Sequence, residues 1–339
     1  MKRILMIATG GTIASRPSEA GLTPQLSAEE LLSMAPAIAN FCKVETLQLM
    51  NIDSTNMSPD CWLKLSSCIE QRYVQFDGFV ITHGTDTMAY TAAALSYLIQ
   101  GSGKPIMLSG SQRSIWLRDT DARTNLQDAF RAAADSALAG VYVVFDGKVI
   151  CGTRARKMRT KSMNAFSSID WPEAALLREG RILHLLNDHQ AYPQVRFYRN
   201  LDPRVFVLRL IPGMDTAILP KLAVVYDALI IESFGVGGLP CYESEDFVTA
   251  LKTWTDAGKP VVITTQVPHE GSDLGVYEVG ARAAGLPGVL QAYTMTIEAV
   301  VTKMMWILGL TKDPEQIKAL FYEPVAHDLL KFEEPDERV

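Results

Sequence analysis

Four short polar segments in the first half of the chain carry the residue types that acyl transfer requires. Each follows an apolar run typical of a strand, and they cover residues 9–12, 53–55, 84–86 and 109–111. Because parallel strands end at one edge of their sheet, we expect the four segments to meet there. Together they supply hydroxyls, two carboxylates and backbone N–H groups exposed by glycine, with Lys157 in the one basic cluster of the chain. This inventory indicates an enzyme with a hydroxyl nucleophile.

The first of these segments ends the stretch ILMIATGGTIAS over residues 4–15. Five apolar residues followed by Thr-Gly-Gly-Thr predict a buried strand that leads into a tight loop. Gly10 and Gly11 allow the backbone to approach a ligand closely. We expect the hydroxyls of Thr9 and Thr12 to face that ligand. The alternative is a strand-to-helix turn in which the glycines serve only the backbone angles.

A threonine hydroxyl is a weak nucleophile until a base removes its proton. The sequence offers no obvious histidine for a Ser-His-Asp set, so a lysine held beside a carboxylate is the natural alternative. Thr85, Asp86 and Lys157 could form such a relay. Thr85 and Asp86 could also cap the helix predicted from about Thr87, and the two roles are compatible.

The elements that position these residues alternate between strands and helices. In the first half, the patterns predict strands over 4–8, 44–49, 78–82 and 106–108, and helices over 59–73, 88–99 and 122–138. Residues 141–145 and 148–150 flank Asp146-Gly147, a strong hairpin signal. Residues 16–25 are predicted to form a surface loop, and the periodicity fades from about 167 to 202.

A second alternation follows and predicts strands over 205–210, 228–232 and 261–264, and helices over 245–257, 277–284, 296–308 and 315–320. The fold class is therefore α/β, with two domains of parallel sheets flanked by helices, the N-terminal one larger. We expect an N-terminal catalytic domain over 1–190, a linker over 191–204 and a C-terminal domain over 205–339. Residues 333–339 form a charged tail.

Composition excludes several classes of protein. Of the 339 residues, 48% are hydrophobic and 21% charged, as in an average globular protein, and no apolar run is long enough to cross a bilayer. The net charge of −6 disfavours nucleic acid as a partner. The apolar run after Met1-Lys2-Arg3 is too short for a secretory signal, and the five scattered cysteines fit reduced thiols, so we expect a cytoplasmic protein.

Neither a metal nor an organic cofactor is expected. His184 and His189 lack further ligands at metal spacing. The Gly-Val-Gly-Gly stretch over 235–238 does not have the spacing of a dinucleotide loop. The basic run over 154–161 has no interleaved aromatic residues, so a solvated loop is a better interpretation than a nucleic-acid site.

Two sequence motifs that occur together are typical of one enzyme family. TGGTIA over 9–14 and HGTDTM over 83–88 resemble the two signature motifs of bacterial-type L-asparaginases. The resemblance continues through 53–55, 109–112, Lys157 placed nine residues before Phe166, 234–237 and 295–299, and so covers nearly the whole chain. The AYTA continuation over 89–92 and the missing secretory signal resemble the cytoplasmic type I branch.

This resemblance implies hydrolysis of L-asparagine to L-aspartate and ammonia through a covalent acyl-enzyme, with no cofactor. It implies that Thr12 is the nucleophile, on a loop that closes over the substrate. It further implies homotetramers built from intimate dimers, in which a neighbour's C-terminal domain walls the site. By the same resemblance, a second triad of Thr85, Asp86 and Lys157 relays protons and activates water, and the substrate contacts come from Gly11, Asp53, Ser54, Thr55, Gly84, Asp86 and Ser111.

One position departs from the family pattern. Many relatives have a tyrosine in the closing loop, where this chain has Leu22. The group that deprotonates Thr12 therefore stays open between Thr23, Lys157 acting through water, and a residue of a neighbouring chain.

Three alternative functions remain at the level of the sequence. They are a glutaminase-asparaginase, a non-catalytic amino-acid sensor on the same scaffold, and the amidase subunit of a tRNA-dependent amidotransferase. The last normally carries an extra N-terminal domain, for which Thr12 lies too near Met1.

Overall fold

The chain forms two compact units, Met1–Arg199 and Asn200–Val339. The computed structural model describes residues 1–18, 21–186, 194–241 and 246–330, with the backbone alone at 17–18 and 21–24. The predicted tail, His189, residues 191–193 of the expected linker and the side chain of Leu22 lie outside the described residues. Each unit contains a sheet with helices against it, and the predicted α/β class with a larger first domain is confirmed.

The first unit is built mainly from strands. Its helices are α1 (Ala28–Ser33), α2 (Pro59–Arg72), α3 (Met88–Leu98) and α4 (Ala122–Ala133). Its strands are β1 (Lys2–Gly10), β2 (Ser15–Ser18), β3 (Gly21–Pro24), β4 (Cys42–Ile52), β5 (Gly78–Thr82), β6 (Ile99–Gln100), β7 (Pro105–Ser109), β8 (Gly140–Phe145), β9 (Lys148–Cys151), β10 (Ala155–Lys157), β11 (Phe166–Ser168), β12 (Ala175–Arg178), β13 (Arg181–His184) and β14 (Arg196–Phe197).

Eight of these strands form one sheet in the order β13-β12-β9-β8-β7-β5-β1-β4. Five neighbouring strands of this sheet, β8, β7, β5, β1 and β4, run parallel, as predicted. Every residue of β5 and β7 is buried, which explains why these strands are uninterrupted apolar runs. Beyond β8 the sheet continues with antiparallel strands, because Asp146 and Gly147 adopt positive φ and reverse the chain in the predicted hairpin.

Two stretches are more regular than their sequences indicate. The predicted loop over 16–25 contains an antiparallel pair, β2 with β3. The stretch of fading periodicity contains β11, β12 and β13, which have only three or four residues each. Strands this short span too few alternations to produce a readable pattern.

The second unit has a four-stranded parallel sheet in the order β15-β16-β17-β18. Trp254 and Phe247 are fully buried in its core. The strands are β15 (Val205–Arg209), β16 (Ala228–Ser233), β17 (Val261–Thr265) and β18 (Val289–Gln291), and the helices are α5 (Ile218–Val225), α6 (Phe247–Thr255), α7 (Glu278–Ala284), α8 (Ile297–Leu308) and α9 (Pro314–Tyr322).

Candidate active site

Two glycines bring the loops after β1 and β5 into direct backbone contact. Gly11 has φ of +82°, and a Cβ there would lie 2.4 Å from the backbone nitrogen of Gly84. A Cβ on Gly84 would in turn lie 2.6 Å from Ser54 Oγ. The Gly11 N–H also donates to the carbonyl of Ile52 at 3.0 Å. Three of the four predicted polar loops are therefore packed together at the carboxyl edge of the sheet, with no room for side chains at the two glycines.

Lys157 reaches this edge from the end of β10, where it pairs with Phe166 of β11. Its Nζ donates to Thr85 Oγ1 at 2.8 Å and to Asp86 Oδ1 at 2.5 Å. Thr85 is buried and the lysine side chain is 16% exposed, whereas the Asp86 side chain is 57% exposed. The three side chains thus form a continuous ammonium, hydroxyl and carboxylate group whose carboxylate end faces solvent.

Thr85 and Asp86 do not cap the following helix through their side chains. Helix α3 begins at Met88, and Thr87 occupies the N-cap position without a side-chain cap bond. The Thr87 hydroxyl donates instead to the carbonyl of Ser54 at 2.8 Å. The capping alternative is therefore wrong, although the positive end of the α3 dipole still stabilises a carboxylate at Asp86.

Gln112 is a site residue that the sequence reasoning missed. Its Oε1 accepts a hydrogen bond from the Thr85 hydroxyl at 3.2 Å, and its Nε2 donates to the carbonyl of Ser162 at 3.1 Å. The Asp121 carboxylate accepts from the Gln112 backbone N–H at 2.9 Å. The available signals were that Gln112 directly follows Ser111 in a predicted polar loop and that it ends the stretch 109–112 of the family resemblance.

The predicted substrate-contacting residues differ in their local bonding. Asp53 Oδ1 accepts from the backbone N–H and the hydroxyl of Thr55, at 2.9 and 3.0 Å. Ser54 is 3% exposed, and its side chain lies against the backbone of Gly84. Ser111 is fully buried, and its hydroxyl donates to the carbonyl of Arg113. Of the predicted substrate contacts, Asp53, Thr55 and Asp86 are exposed, and Gly11, Ser54, Gly84 and Ser111 are buried.

Thr12 is half-buried and is the first residue of a short 3-10 turn, Thr12–Ala14, that directly follows Gly11. The contact between Gly11 and Gly84 therefore places the backbone of Thr12 beside the loop that carries Thr85. Thr12 and Thr85 follow neighbouring parallel strands of one sheet, β1 and β5, whereas Lys157 reaches the relay from β10.

Comparison with known proteins identifies the family. Residues 3–190 match the family described as Asparaginase, N-terminal, and residues 204–321 match the Glutaminase/Asparaginase C-terminal domain. The chain belongs to the asparaginase family. It is 37% identical to an L-asparaginase of Thermococcus kodakarensis over 96% of this chain and 99% of that protein. It is also 34% identical to a glutamyl-tRNA(Gln) amidotransferase component of Pyrococcus horikoshii, over 97% of this chain and 77% of that protein.

Solved asparaginase structures have the same fold. The thermostable L-asparaginase from Thermococcus kodakarensis superposes with a TM-score of 0.92 at 37% identity, covering 97% of this chain and all of the other. L-asparaginase I from Vibrio cholerae gives a TM-score of 0.85 at 27% identity, covering 97% and 99%. A probable cytoplasmic L-asparaginase from Campylobacter jejuni gives 0.81 at 25% identity, covering 95% and 99%.

Behind the asparaginase motif HGTDTM, a buried polar network fixes its first residue. His83 Nδ1 lies 2.7 Å from the Gly84 carbonyl, so that nitrogen carries the hydrogen, and Nε2 lies 2.9 Å from Thr91 Oγ1. Trp62 Nε1 donates to the same hydroxyl at 2.9 Å. Burial lowers the pKa of His83 to about 4, so the ring is neutral near pH 7.

Two expectations about neighbouring residues are corrected. Thr9 is 1% exposed and its hydroxyl donates to the carbonyl of Thr82 at 2.8 Å, so it stabilises the sheet and does not face a ligand. In the basic run, Arg154 is fully buried with its guanidinium 5.9 Å from the ring centroid of Trp171. At least this member of the run is part of the core and not of a solvated loop.

The described part of this asparaginase-family chain contains no group of three or more His, Cys, Asp or Glu side chains placed to hold a metal ion. His184 Nε2 lies 3.1 Å from a carboxylate oxygen of Asp135. Within the same residues, no helix has the length and apolar character that crossing a membrane requires.

Proposed function

We propose that this protein is an L-asparaginase that converts L-asparagine to L-aspartate and ammonia through an acyl-enzyme on Thr12. The observation that carries the proposal is the Lys157 ammonium bonded at once to the Thr85 hydroxyl and the Asp86 carboxylate, beside the loop of Thr12. Membership of the asparaginase family over both domains supports it.

In the first step, Thr12 Oγ forms a bond to the side-chain carbonyl carbon of asparagine, and the C–N bond breaks to release ammonia. The proton of Thr12 passes to a base, for which Thr23, Lys157 through water and a residue of a neighbouring chain are the candidates, and from that base to the departing nitrogen, which leaves as ammonia. The negative charge that develops on the amide oxygen is stabilised by the backbone N–H of Thr85 and by the region of Ser111. A preorganised donor of this kind contributes about 10²–10³ in rate.

In the second step, water attacks the ester and the Thr12–acyl bond breaks to release aspartate. Lys157, Thr85 and Asp86 activate that water and return the proton to Thr12. An ammonium beside a carboxylate and a hydroxyl can pass a proton along the chain of hydrogen bonds without net charge separation.

The substrate's α-amino and α-carboxylate groups are held by Asp53, Ser54 and Thr55, with Asp86 paired to the amino group. Gly11 and Gly84 complete the binding loops, because without side chains the two loops that carry Thr12 and Thr85 can pack against each other. The side chain of Asp86, more than half exposed, is available to a ligand's ammonium group.

We further propose that the enzyme acts in the cytoplasm as a homotetramer of intimate dimers, and that the catalytic domain, linker and C-terminal domain cover 1–190, 191–204 and 205–339. The similarity to a probable cytoplasmic L-asparaginase supports the compartment. Sedimentation of the purified protein tests the assembly, and a monomeric active enzyme would contradict it.

The deciding experiment measures ammonia release from L-asparagine by Thr12→Ala, Thr85→Ala and the double variant. Each single change should lower the rate by several orders of magnitude. The double variant should be no slower than the less active of the two single variants, because both residues serve one reaction. Thr249→Ala, which removes an exposed hydroxyl in the second unit, is the matched control. Rates like those of the unmodified enzyme in either single variant would remove that residue from the mechanism.

An amidase subunit of a tRNA-dependent amidotransferase is the second candidate, favoured by the 34% identity to the amidotransferase component of Pyrococcus horikoshii. Ammonia release that requires a partner protein, or a gel shift with tRNA, would support it over the free enzyme. Parallel assays with L-glutamine decide between asparaginase and glutaminase-asparaginase, since one methylene changes discrimination by only about 1–3 kcal/mol.

A further inference from the structure

The turn that carries Thr12 is held on its far side by the loop over 114–117. The hydroxyl of Ser114 donates to the carbonyl of Ser15, and the backbone N–H of Ile115 donates to the carbonyl of Ile13 at 3.4 Å. Ser114 and Ile115 are fully buried. Since Gly11 is fixed at the other end of the turn, residues 12–15 are constrained from both sides.

An exposed stack adds a third contact between these segments. The guanidinium carbon of Arg16, on β2, lies 4.6 Å from the ring centroid of Trp116. Trp116 is 45% exposed, although an indole of this size is normally buried. Among the side chains that the structure describes, Arg16 also faces Glu30, with Nη2 3.9 Å from a carboxylate oxygen. Within that set, the indole ring of Trp116 provides the packing surface for the Arg16 guanidinium.

The loop that presents Trp116 is itself anchored to α4. Arg123 Nη2 donates to the carbonyl of Ile115 at 2.8 Å, and Nη1 donates to the carbonyl of Leu117 at 3.3 Å. These bonds lie on either side of Trp116 in the sequence. The indole therefore stands on a rigid base, whereas Arg16 lies on a two-stranded hairpin outside the main sheet.

We propose that Trp116 is a positioning residue for the nucleophile: by stacking on Arg16 it holds the first strand of the hairpin, and through it the turn of Thr12. The inference rests on the proposed role of Thr12. Only three residues separate Thr12 from Arg16, so a displacement of the strand moves the turn. An exposed cation–π contact favours the ordered arrangement by about 2- to 5-fold, which sets the expected size of the effect.

A double-mutant cycle on kcat/KM for L-asparagine tests the proposal with Arg16→Gln, Trp116→Leu and the double variant. Each single change should lower kcat/KM by about 2- to 5-fold, and the double variant should lose no more than the worse single variant. Trp116→Phe keeps a ring face and should restore most of the rate. Arg118→Gln removes one arginine charge at an exposed position two residues beyond Trp116 and should leave the rate unchanged.

Two further measurements separate positioning from general damage. Inhibition by L-aspartate should be unchanged in all of these variants, because its contacts come from residues 53–55 and 86. Trp116 is the most exposed of the five tryptophans, so acrylamide quenching reports on it. Arg16→Gln should increase that quenching by uncovering the ring face, independently of activity.

Additive losses in the cycle would overturn the inference, as would a Trp116→Phe variant as slow as Trp116→Leu or a matching loss of aspartate inhibition. These results can be told apart from a failure of the proposed function. If the proposed function is wrong, Thr12→Ala keeps full activity. An inactive Thr12→Ala with additive Arg16 and Trp116 effects would reject the stack alone.

Discussion

At the scale of single residues, the contacts of the Lys157 ammonium with Thr85 and Asp86 are central to the proposed chemistry of the site. The lysine lies 71 residues beyond Asp86 in the chain, yet its ammonium contacts two consecutive side chains of one loop. Lys157→Met keeps the length of the side chain and removes the charge. We expect ammonia release to fall by about 10²–10⁴, the usual contribution of a positioned acid or base. Lys161→Met, at an exposed lysine of the following loop, is the control and should keep its activity.

Gly11 gives a second prediction at this scale. Ala at this position meets both a positive φ and backbone atoms of Gly84 within 2.5 Å, so the two loops must separate. Gly11→Ala should nearly abolish ammonia release and lower the free energy of unfolding by about 1–3 kcal/mol. Gly103→Ala has open space around the added methyl and an ordinary φ, so it should change neither quantity. Urea unfolding and the ammonia assay check both variants, and an active Gly11→Ala would refute the close approach.

At the scale of elements, the network joining β5 to α3 predicts a pH dependence of stability. His83 has a pKa of about 4 when folded, below its ordinary 6.5, so between these values the unfolded chain binds more protons. The contribution of neutral His83 to the free energy of unfolding is complete above pH 6.5. It is lost as the pH falls to 4, and the loss is about 3 kcal/mol at most. Burial raises the pKa of Asp128 to about 6, which gives a slope of opposite sign, so the unmodified protein alone cannot isolate His83.

The comparison that isolates His83 is between the unmodified protein and His83→Asn, both unfolded in urea at several pH values between 7.5 and 4. The difference between their unfolding free energies should shrink as the pH falls through this range. His184→Asn, at a histidine beside Asp135 near the surface, should leave the slope nearly intact. A constant difference between His83→Asn and the unmodified protein would show that folding does not lower the pKa of His83.

The elements also show what the sequence can and cannot predict. Buried parallel strands such as β5 are evident as apolar runs, and the Asp146-Gly147 turn marks its hairpin unambiguously. Helix α5 was missed because ILPKLAVV is apolar on all sides and contains Pro220, so it has no amphipathic period. Strand β18 was missed because three residues are too few to show alternation.

The site residues also divide into those that local sequence patterns reveal and those that they do not. Thr12, Thr85 and Asp86 can be proposed as site residues from the sequence because loops at strand ends follow from local pattern and topology. The bonds of Gln112 and the network around His83 join residues distant in sequence, and no local pattern encodes them.

At the scale of the whole molecule, each unit has its own core, and the second contains a fully buried ion pair. Lys303 Nζ on α8 lies 2.7 Å from Asp328 Oδ2 and donates to the carbonyl of Glu323 at 2.8 Å. Both side chains are inaccessible to solvent. Lys303→Met should therefore destabilise the second unit by about 3–5 kcal/mol, because a carboxylate is left buried without its cation.

The fluorescence of Trp254 and Trp306, both buried in the second unit, measures this effect during urea unfolding. Lys2→Met removes an exposed lysine whose carboxylate partner Asp77 lies 3.9 Å away, and it should cost less than about 1 kcal/mol. Equal losses in the two variants would mean that the buried pair contributes no more than a surface pair.

The hairpin of β10 and β11 has an evolutionary consequence. It forms a two-stranded sheet of its own, separate in hydrogen bonding from the eight-stranded sheet that carries the threonine loops. Descendants of such a chain can therefore replace Lys157 or change the exposed turn over 158–164 without shifting the register of the large sheet, whereas Phe166 is buried and its ring centroid lies 5.0 Å from that of Phe145 on β8. Losing the lysine in this way would leave the threonine-bearing cleft in place, so a hydrolase of this architecture can give rise to a receptor for its former substrate.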